Sequence, residues 1–171
     1  GEEQPGSASY GVSLLSRYPV VSWRVVRLPP LQVSVPLWSP ITRRPFLARD
    51  EPRVAVAAVL DGPFGQFTVC NTHLSFIPGW NATQLRRLVR SLTGTREPLA
   101  LMGDLNMQQA QAAKVSGLRS IATAATFPAA QPRRQLDHVL VRGGLRATGP
   151  AEAVQLPLSD HRALVVPCGP V

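Results

Sequence analysis

Three histidines and five aspartates dominate the acid–base inventory of this chain, and they are unevenly placed. His73 lies in Asn-Thr-His-Leu, His138 in Leu-Asp-His-Val and His161 in Leu-Ser-Asp-His, each beside short polar residues at the end of an apolar run. Asp104 in Gly-Asp-Leu-Asn, Asp137 and Asp160 complete the set, whereas Asp50 and Asp61 sit in Pro- or Gly-rich turn contexts and need no function. Hydrolysis of a phosphate ester requires an activated water, donors against the charge that builds on the phosphoryl oxygens, and a stabilised leaving group. These residues supply the parts: His161 as base, an aspartate to hold its other ring nitrogen, and Asn106 and His73 as donors to phosphate oxygens. In Gly103 to Asn106, an extended chain would point Asp104 and Asn106 to one side and Leu105 toward the core.

Taken singly, each cluster has a plain structural explanation. A lone histidine at a strand end is more often a satisfied surface residue, Gly-Asp-Leu-Asn reads equally as a turn, and Asp137 beside His138 fits an ordinary strand with a local turn bond. The joint occurrence, in the order Asn-Thr-His-Leu, Gly-Asp-Leu-Asn, Leu-Asp-His and Ser-Asp-His, is what points to a site. Clusters that follow or open apolar strands are presented at sheet edges, where loops on a rigid scaffold build sites.

The elements that must position them read as follows. Residues 10–16 and 20–28 form two strands of a hairpin turned by Arg17-Tyr18-Pro19. Six prolines between 29 and 52 leave room for at most one edge strand, around 31–35. Residues 53–60 alternate, Asp-Gly-Pro-Phe-Gly makes a turn, and 66–72 continue as a second hairpin. Asn81 with Gln84 three residues on has the capping-box form, and Leu85, Leu88, Val89 and Leu92 follow at helical spacing, with Arg86, Arg87 and Arg90 on the solvated face. Asn81-Ala82-Thr83 also matches a glycosylation sequon; the helix cap is the preferred reading. Further strands are expected over 99–102, 136–141 and 163–166, and a short helix over 108–115. No repeat or domain boundary interrupts the sequence, so a flexible segment over 1–9 precedes a single domain over 10–167.

Composition agrees with a packed domain of 171 residues: 44% hydrophobic, 16% charged, mean hydropathy +0.04. A net charge of +8 is carried almost wholly by arginine, since Lys114 is the one lysine. Guanidinium forks suit phosphate oxygens, which favours an anionic partner such as nucleic acid, a phospholipid headgroup or a phosphorylated small molecule; a solubilising surface bias accounts for the same charge. The arginines are scattered and lack interleaved aromatics, so they define no nucleic-acid module by themselves. Phe76, Ile77 and Trp80 would either touch lipid or a base or, as preferred, cap the core. Cys70 and Cys168 have no metal-ligand spacing and leave a disulfide open. No apolar run approaches the ~18 residues of a membrane span. The polar start at Gly1 looks like a cleaved or truncated end; the compartment stays open, with the cytoplasm slightly favoured and an upstream signal or anchor not excluded.

The order Gly11-Val12-Ser13-Leu14-Leu15-Ser16-Arg17-Tyr18-Pro19, Asn71-Thr72-His73-Leu74, Gly103-Asp104-Leu105-Asn106, Leu136-Asp137-His138 and Ser159-Asp160-His161 resembles the endonuclease/exonuclease/phosphatase superfamily. Its members include deoxyribonuclease I, apurinic endonucleases, sphingomyelinases and inositol polyphosphate phosphatases. The resemblance implies an α+β fold, a four-layer α/β sandwich of the deoxyribonuclease I-like type with two mixed β-sheets and flanking helices, and a divalent metal, Mg²⁺ or Mn²⁺, at one rim. It matches His161 to the general base and Asp137 to its orienting partner. Asp104 and Asn106 match the pair that positions the nucleophile or leaving group and holds the phosphate. His73 matches the phosphate-binding or proton-donating histidine, and Asp160, with Asp104, the metal side. Arg53 resembles a family arginine that binds substrate near this rim, and His138 is read as structural.

The sequence departs from the family at its start. The family's early Asn strand and the Gln-Glu pair, whose glutamate is the principal metal ligand, have no counterpart here, and Glu2 and Glu3 lie too close to residue 10 to supply that unit. The fold is therefore expected to be incomplete at its N-terminus, with an open sheet edge and a weakly held metal. The resulting expectation is a metal-dependent phosphoesterase in the full-length protein, with weak or no turnover from these residues alone. The alternative is a catalytically silent remnant that binds an anionic partner or another chain through the site and the open edge.

Overall fold

The computed structural model describes residues 11–39 and 42–171. Alternating apolar side chains generate the first strands: β1 (Val20–Leu28), β2 (Val35–Ser39), β3 (Arg44–Ala48), β4 (Arg53–Gly62) and β5 (Gly65–His73). Helix α1 (Trp80–Ser91), β6 (Leu99–Asp104), α2 (Gln109–Ser116) and β7 (Arg119–Ser120) follow. The chain ends with β8 (Asp137–Arg142), β9 (Leu145–Ala147), β10 (Glu152–Val154), β11 (Ala163–Val165) and β12 (Cys168–Pro170).

Six strands make one mixed sheet in the order β1-β4-β5-β6-β8-β7, in which only β5 and β6 run parallel. Because side chains alternate along a strand, the sheet has two apolar faces. Ala55, Ala57, Cys70, Leu99, Leu101 and Leu140 point to one, where α1 and α2 cover them with Leu85, Leu88 and Ala112. Ala58, Leu60, Phe67, Val69, Ala100 and Val141 point to the other. The two-stranded ladders β9–β12, β10–β11 and β2–β3 complete the strand pairing. The result is the expected α+β class, a mixed sheet with a helix layer on one apolar face and smaller strand pairs beside it. β1 forms one edge of the sheet, and Trp23 on it is 56% exposed.

Three local expectations are corrected. Tyr10 lies outside the described residues, and 11–16 form no strand. That stretch crosses the sheet rather than pairing with it: Leu14 packs on the second apolar face and the Asn71 side chain donates to the Ser13 carbonyl. β1 pairs instead with β4, antiparallel. The Pro-rich stretch holds a two-stranded hairpin, β2 with β3, in place of a single strand at 31–35. Both members of such a ladder are edges, which is where Pro36 and Pro45 are tolerated. Helix α1 has Gly79, which has no side chain to cap with, at its N-cap, at φ 83. Asn81 and Gln84 are buried and turned toward the neighbouring loops, so neither the capping box nor an accessible sequon exists.

Candidate active site

Strand register builds the centre of the site. His73 ends β5 opposite Asp104, which ends β6, and Asp104 pairs with Asp137, which opens β8. Parity puts Asp137 on the face of Val139 and Val141, so an imidazole and two carboxylates form one row across three strands at the sheet's rim. Gly103, before Asp104, has φ 127, and a Cβ there would overlap the Thr72 carbonyl oxygen. A glycine is what lets β6 approach β5 this closely just before the site.

His161 comes from a separate segment and is laid over the row by backbone bonds on both sides. The Ala129 N–H donates to the Asp160 carbonyl at 2.7 Å and the Arg162 N–H to the Thr126 carbonyl at 2.8 Å. The His161 N–H itself donates to Ser159 Oγ at 3.0 Å. Its Nδ1 lies 2.7 Å from Asp137 Oδ2, and its Nε2 faces Asp104 Oδ2 at 3.9 Å. The Phe127 ring packs against the imidazole with centroids 4.8 Å apart.

Asp104 and Asn106 converge through a turn, not through an extended chain. The Asn106 N–H donates to Asp104 Oδ1 at 2.8 Å, and Asn106 sits at φ 52, a left-handed conformation that Asn tolerates. Leu105 between them is fully buried, as expected. Asn106 Nδ2 donates to the Leu74 carbonyl at 3.0 Å and lies 3.4 Å from His73 Nε2. That ring nitrogen is also 3.4 Å from Asp104 Oδ2.

Burial raises the Asp104 carboxyl above its ordinary value, reinforced by Asp137 and opposed by the Asn106 N–H and the two imidazoles. Burial likewise lowers His73, with Arg53 and His161 adding to the effect and Asp104 opposing it. Both shifts disfavour a full ion pair between Asp104 and His73 and leave His73 a neutral imidazole at neutral pH. Arg53, whose side chain is 11% exposed, is near enough to act on His73, with Glu51 4.0 Å from its Nη2. His138 points to the helix side, where its Nε2 meets the Met107 carbonyl at 2.9 Å within the core.

The site therefore collects His161, Asp137, Asp104, Asn106, His73 and Arg53. Asp160 is exposed, and among the described residues no hydrogen bond or ion pair ties its carboxylate to the others. No three His, Cys, Asp or Glu side chains among the described residues are arranged to hold a metal. Asp104 Oδ1 is engaged by Asn106 and Oδ2 faces two imidazole nitrogens, which is not the oxygen-rich octahedral set that Mg²⁺ demands. These residues do not fit a resident Mg²⁺, and the chemistry they offer is that of imidazole, carboxylate and amide.

Four residues support the site in roles that the sequence does not suggest: Asn81 and Gln84 have the form of a capping box, and Asp50 that of a turn residue needing no function. Phe127 has no local pattern to betray it. Asn81 Nδ2 donates to the Asn106 carbonyl at 2.8 Å, and Gln84 Oε1 accepts the Ser75 N–H at 2.8 Å. Asp50 accepts the Ser75 hydroxyl at 2.6 Å and the Leu31 N–H at 2.9 Å, so it pins the loop behind His73. A buried polar pair in the first turn of an amphipathic helix is the signal that would have drawn attention to Asn81 and Gln84.

A mixed sheet backed by helices, with an aspartate-held histidine over its rim, is an architecture of the deoxyribonuclease I-like class. The family profile described as Endonuclease/Exonuclease/phosphatase family matches residues 3–161, and the chain belongs to that family, whose members are phosphoesterases or hydrolases and generally use divalent metals. Among curated proteins, sequence comparison finds no match. Solved structures share the fold. The mannosyl-6-phosphatase of Bacteroides thetaiotaomicron is 15% identical with a TM-score of 0.62, over 89% of this chain and 67% of that one. The human Nocturnin catalytic domain with bound sulfate is 21% identical with a TM-score of 0.60, over 91% and 61%. D. rerio TDP2 complexed with a single-strand DNA product is 14% identical with a TM-score of 0.62, over 90% and 69%. The chain thus spans roughly two thirds of the length of these proteins.

Proposed function

We propose that this site hydrolyses a phosphoric ester by activating water at His161. The observation that carries the reading is one geometry: Asp137 Oδ2 lies 2.7 Å from His161 Nδ1 while Nε2 faces Asp104 Oδ2 across 3.9 Å. Asp137 accepts a hydrogen bond from the Nδ1–H, which leaves the Nε2 lone pair directed into the site. A water about 2.8 Å from both Nε2 and Oδ2 donates one hydrogen to each and keeps a lone pair for phosphorus. As it attacks, its proton passes to Nε2, Asp137 stabilises the imidazolium that results, and the P–O bond to the leaving group breaks on the opposite side of phosphorus, the departing oxygen taking a proton from solvent.

Asn106 Nδ2 and His73 stand beside this water position. One Nδ2 hydrogen goes to the Leu74 carbonyl, and the contact of the other with His73 is long, at 3.4 Å, so that hydrogen is available to a phosphoryl oxygen. Arg53 adds fixed positive charge beside His73. The substrate is a phosphodiester or phosphomonoester, with nucleic acid and phospholipid headgroups favoured by the +8 net charge. In family terms the activity is that of a phosphodiesterase or nuclease-like hydrolase.

The test is hydrolysis of bis-p-nitrophenyl phosphate by this chain and by a form extended at its N-terminus, with Mg²⁺, with Mn²⁺ and with chelator. The reading predicts hydrolysis that inorganic phosphate inhibits competitively. No hydrolysis by either form, with phosphate still raising the melting temperature, would leave a site that binds anions without turning them over.

A further inference from the structure

The best-defined feature that the proposed mechanism does not use is the side chain of Asn81. It is 3% exposed in the first turn of α1, although Gly79 already occupies the N-cap. Its two polar atoms face opposite ways in function. Oδ1 accepts the Ala82 N–H at 2.7 Å, one of the helix's unpaired first-turn donors. Nδ2 crosses to the site and donates to the Asn106 carbonyl at 2.8 Å. Asn106 has a strained left-handed backbone, and such a conformation persists only where surrounding contacts hold it. Two bonds hold its backbone, with Asp104 Oδ1 taking the Asn106 N–H and Asn81 Nδ2 donating to the Asn106 carbonyl, while its own side chain donates to the Leu74 carbonyl at 3.0 Å. The two backbone bonds fix the peptide planes on both sides of Asn106 and so the direction in which its side chain leaves the backbone, from where the amide reaches the Leu74 carbonyl and lies 3.4 Å from His73 Nε2.

We propose that Asn81 is a positioning residue that locks the left-handed turn at Asn106 and so aims the Asn106 amide at the phosphoryl position. The catalytic part of this rests on the hydrolase reading; the geometric part does not. Helix α1 then does more than cover the core, because its first turn sets the rotation of a residue on a different loop.

The experiment uses Asn81→Ser, which keeps an oxygen for the Ala82 N–H but cannot reach Asn106, and Asn81→Ala as a second variant. NMR follows the Asn106 side-chain amide resonances, assigned by their loss in Asn106→Ala. Those resonances should move in the folded Asn81→Ser protein. In the active form, kcat should fall by about tenfold or more with KM within about threefold, the pattern for an interaction made mainly in the transition state. Adding Asn81→Ser to Asn106→Ala should change kcat by less than about twofold, since the two residues act through one group. Unmoved Asn106 resonances in either folded variant would overturn the proposal, and so would full additivity with Asn106→Ala. Absence of turnover in every form would defeat the hydrolase reading alone, and the resonances would still decide the role of Asn81.

Discussion

Replacing Asp137 by Asn isolates the interaction on which the mechanism turns. The substitution is isosteric, and the new amide can present its oxygen to His161 Nδ1, so the tautomer and the 2.7 Å hydrogen bond survive in one rotamer. What disappears is the negative charge facing the imidazolium that forms as water gives up its proton. The two side chains are 19% and 21% exposed, which places the pair at the edge of solvent and not in it. Unit charges about 4 Å apart at an effective dielectric of about 20 attract by about 4 kcal/mol. With only part of the charge developed in the transition state, about 3 kcal/mol is at stake, or about two orders of magnitude in rate. The rotamer that turns the amide NH₂ to Nδ1 would force the proton onto Nε2 and remove the base, deepening the loss toward ~10⁴-fold. The assay is kcat for bis-p-nitrophenyl phosphate, with circular dichroism and melting temperature to confirm the fold. A folded Asp137→Asn protein that turns over within about threefold of wild type would refute the reasoning, because a loss that small is under about 1 kcal/mol.

Other outcomes follow from the same geometry. Asp104→Asn keeps an acceptor for the Asn106 N–H and removes a carboxylate that burial disfavours in its charged form. Because the folded pKa is raised, the folded protein binds that proton more tightly than the unfolded chain, so the stability Asp104 contributes is present at low pH and lost as pH rises through the folded pKa. Asp104→Asn should therefore be inactive yet gain stability relative to wild type as pH rises above the ordinary carboxylate range, read from urea midpoints at a series of pH values. Gly103→Ala forces a side chain into a positive φ and onto the Thr72 carbonyl, and should cost at least about 2 kcal/mol, seen as a lower urea midpoint at unchanged m-value. The Cys70 thiol is fully buried and pushed up to about 12 by that burial, whereas Cys168 is exposed; a thiol reagent should label Cys168 alone in the native protein and both after denaturation.

The parts of the fold that were legible are those where the local pattern and the tertiary demand coincide. β4 and most of β5 read as apolar runs because both faces of the sheet are apolar, and the polar clusters at the ends of β5, β6 and β8 stand out because each interrupts such a run. Register then makes neighbours of His73, Asp104 and Asp137, which lie far apart in sequence. Where one pattern serves two structures, the reading failed. Residues 11–16 are apolar enough for a strand, yet they lie across the sheet and are held by a side chain. Pro36 and Pro45 argue against interior strands and say nothing against a hairpin whose members are both edges. Asn81 and Gln84 have the spacing of a capping box, and the same spacing lets them reach loops on the neighbouring strands. Phe127 and Asp50 serve the site through contacts that span the chain, and no local signal marks them.

The most direct measurement is the rate of bis-p-nitrophenyl phosphate hydrolysis by the active form against its His161→Ala variant, with phosphate-induced thermal stabilisation recorded on the same samples. Removal of the group that takes the proton from water should lower kcat by at least about 10³-fold while folding and phosphate stabilisation persist. Equal rates in the two proteins would show that His161 does not activate the water, and the account of this site would be wrong.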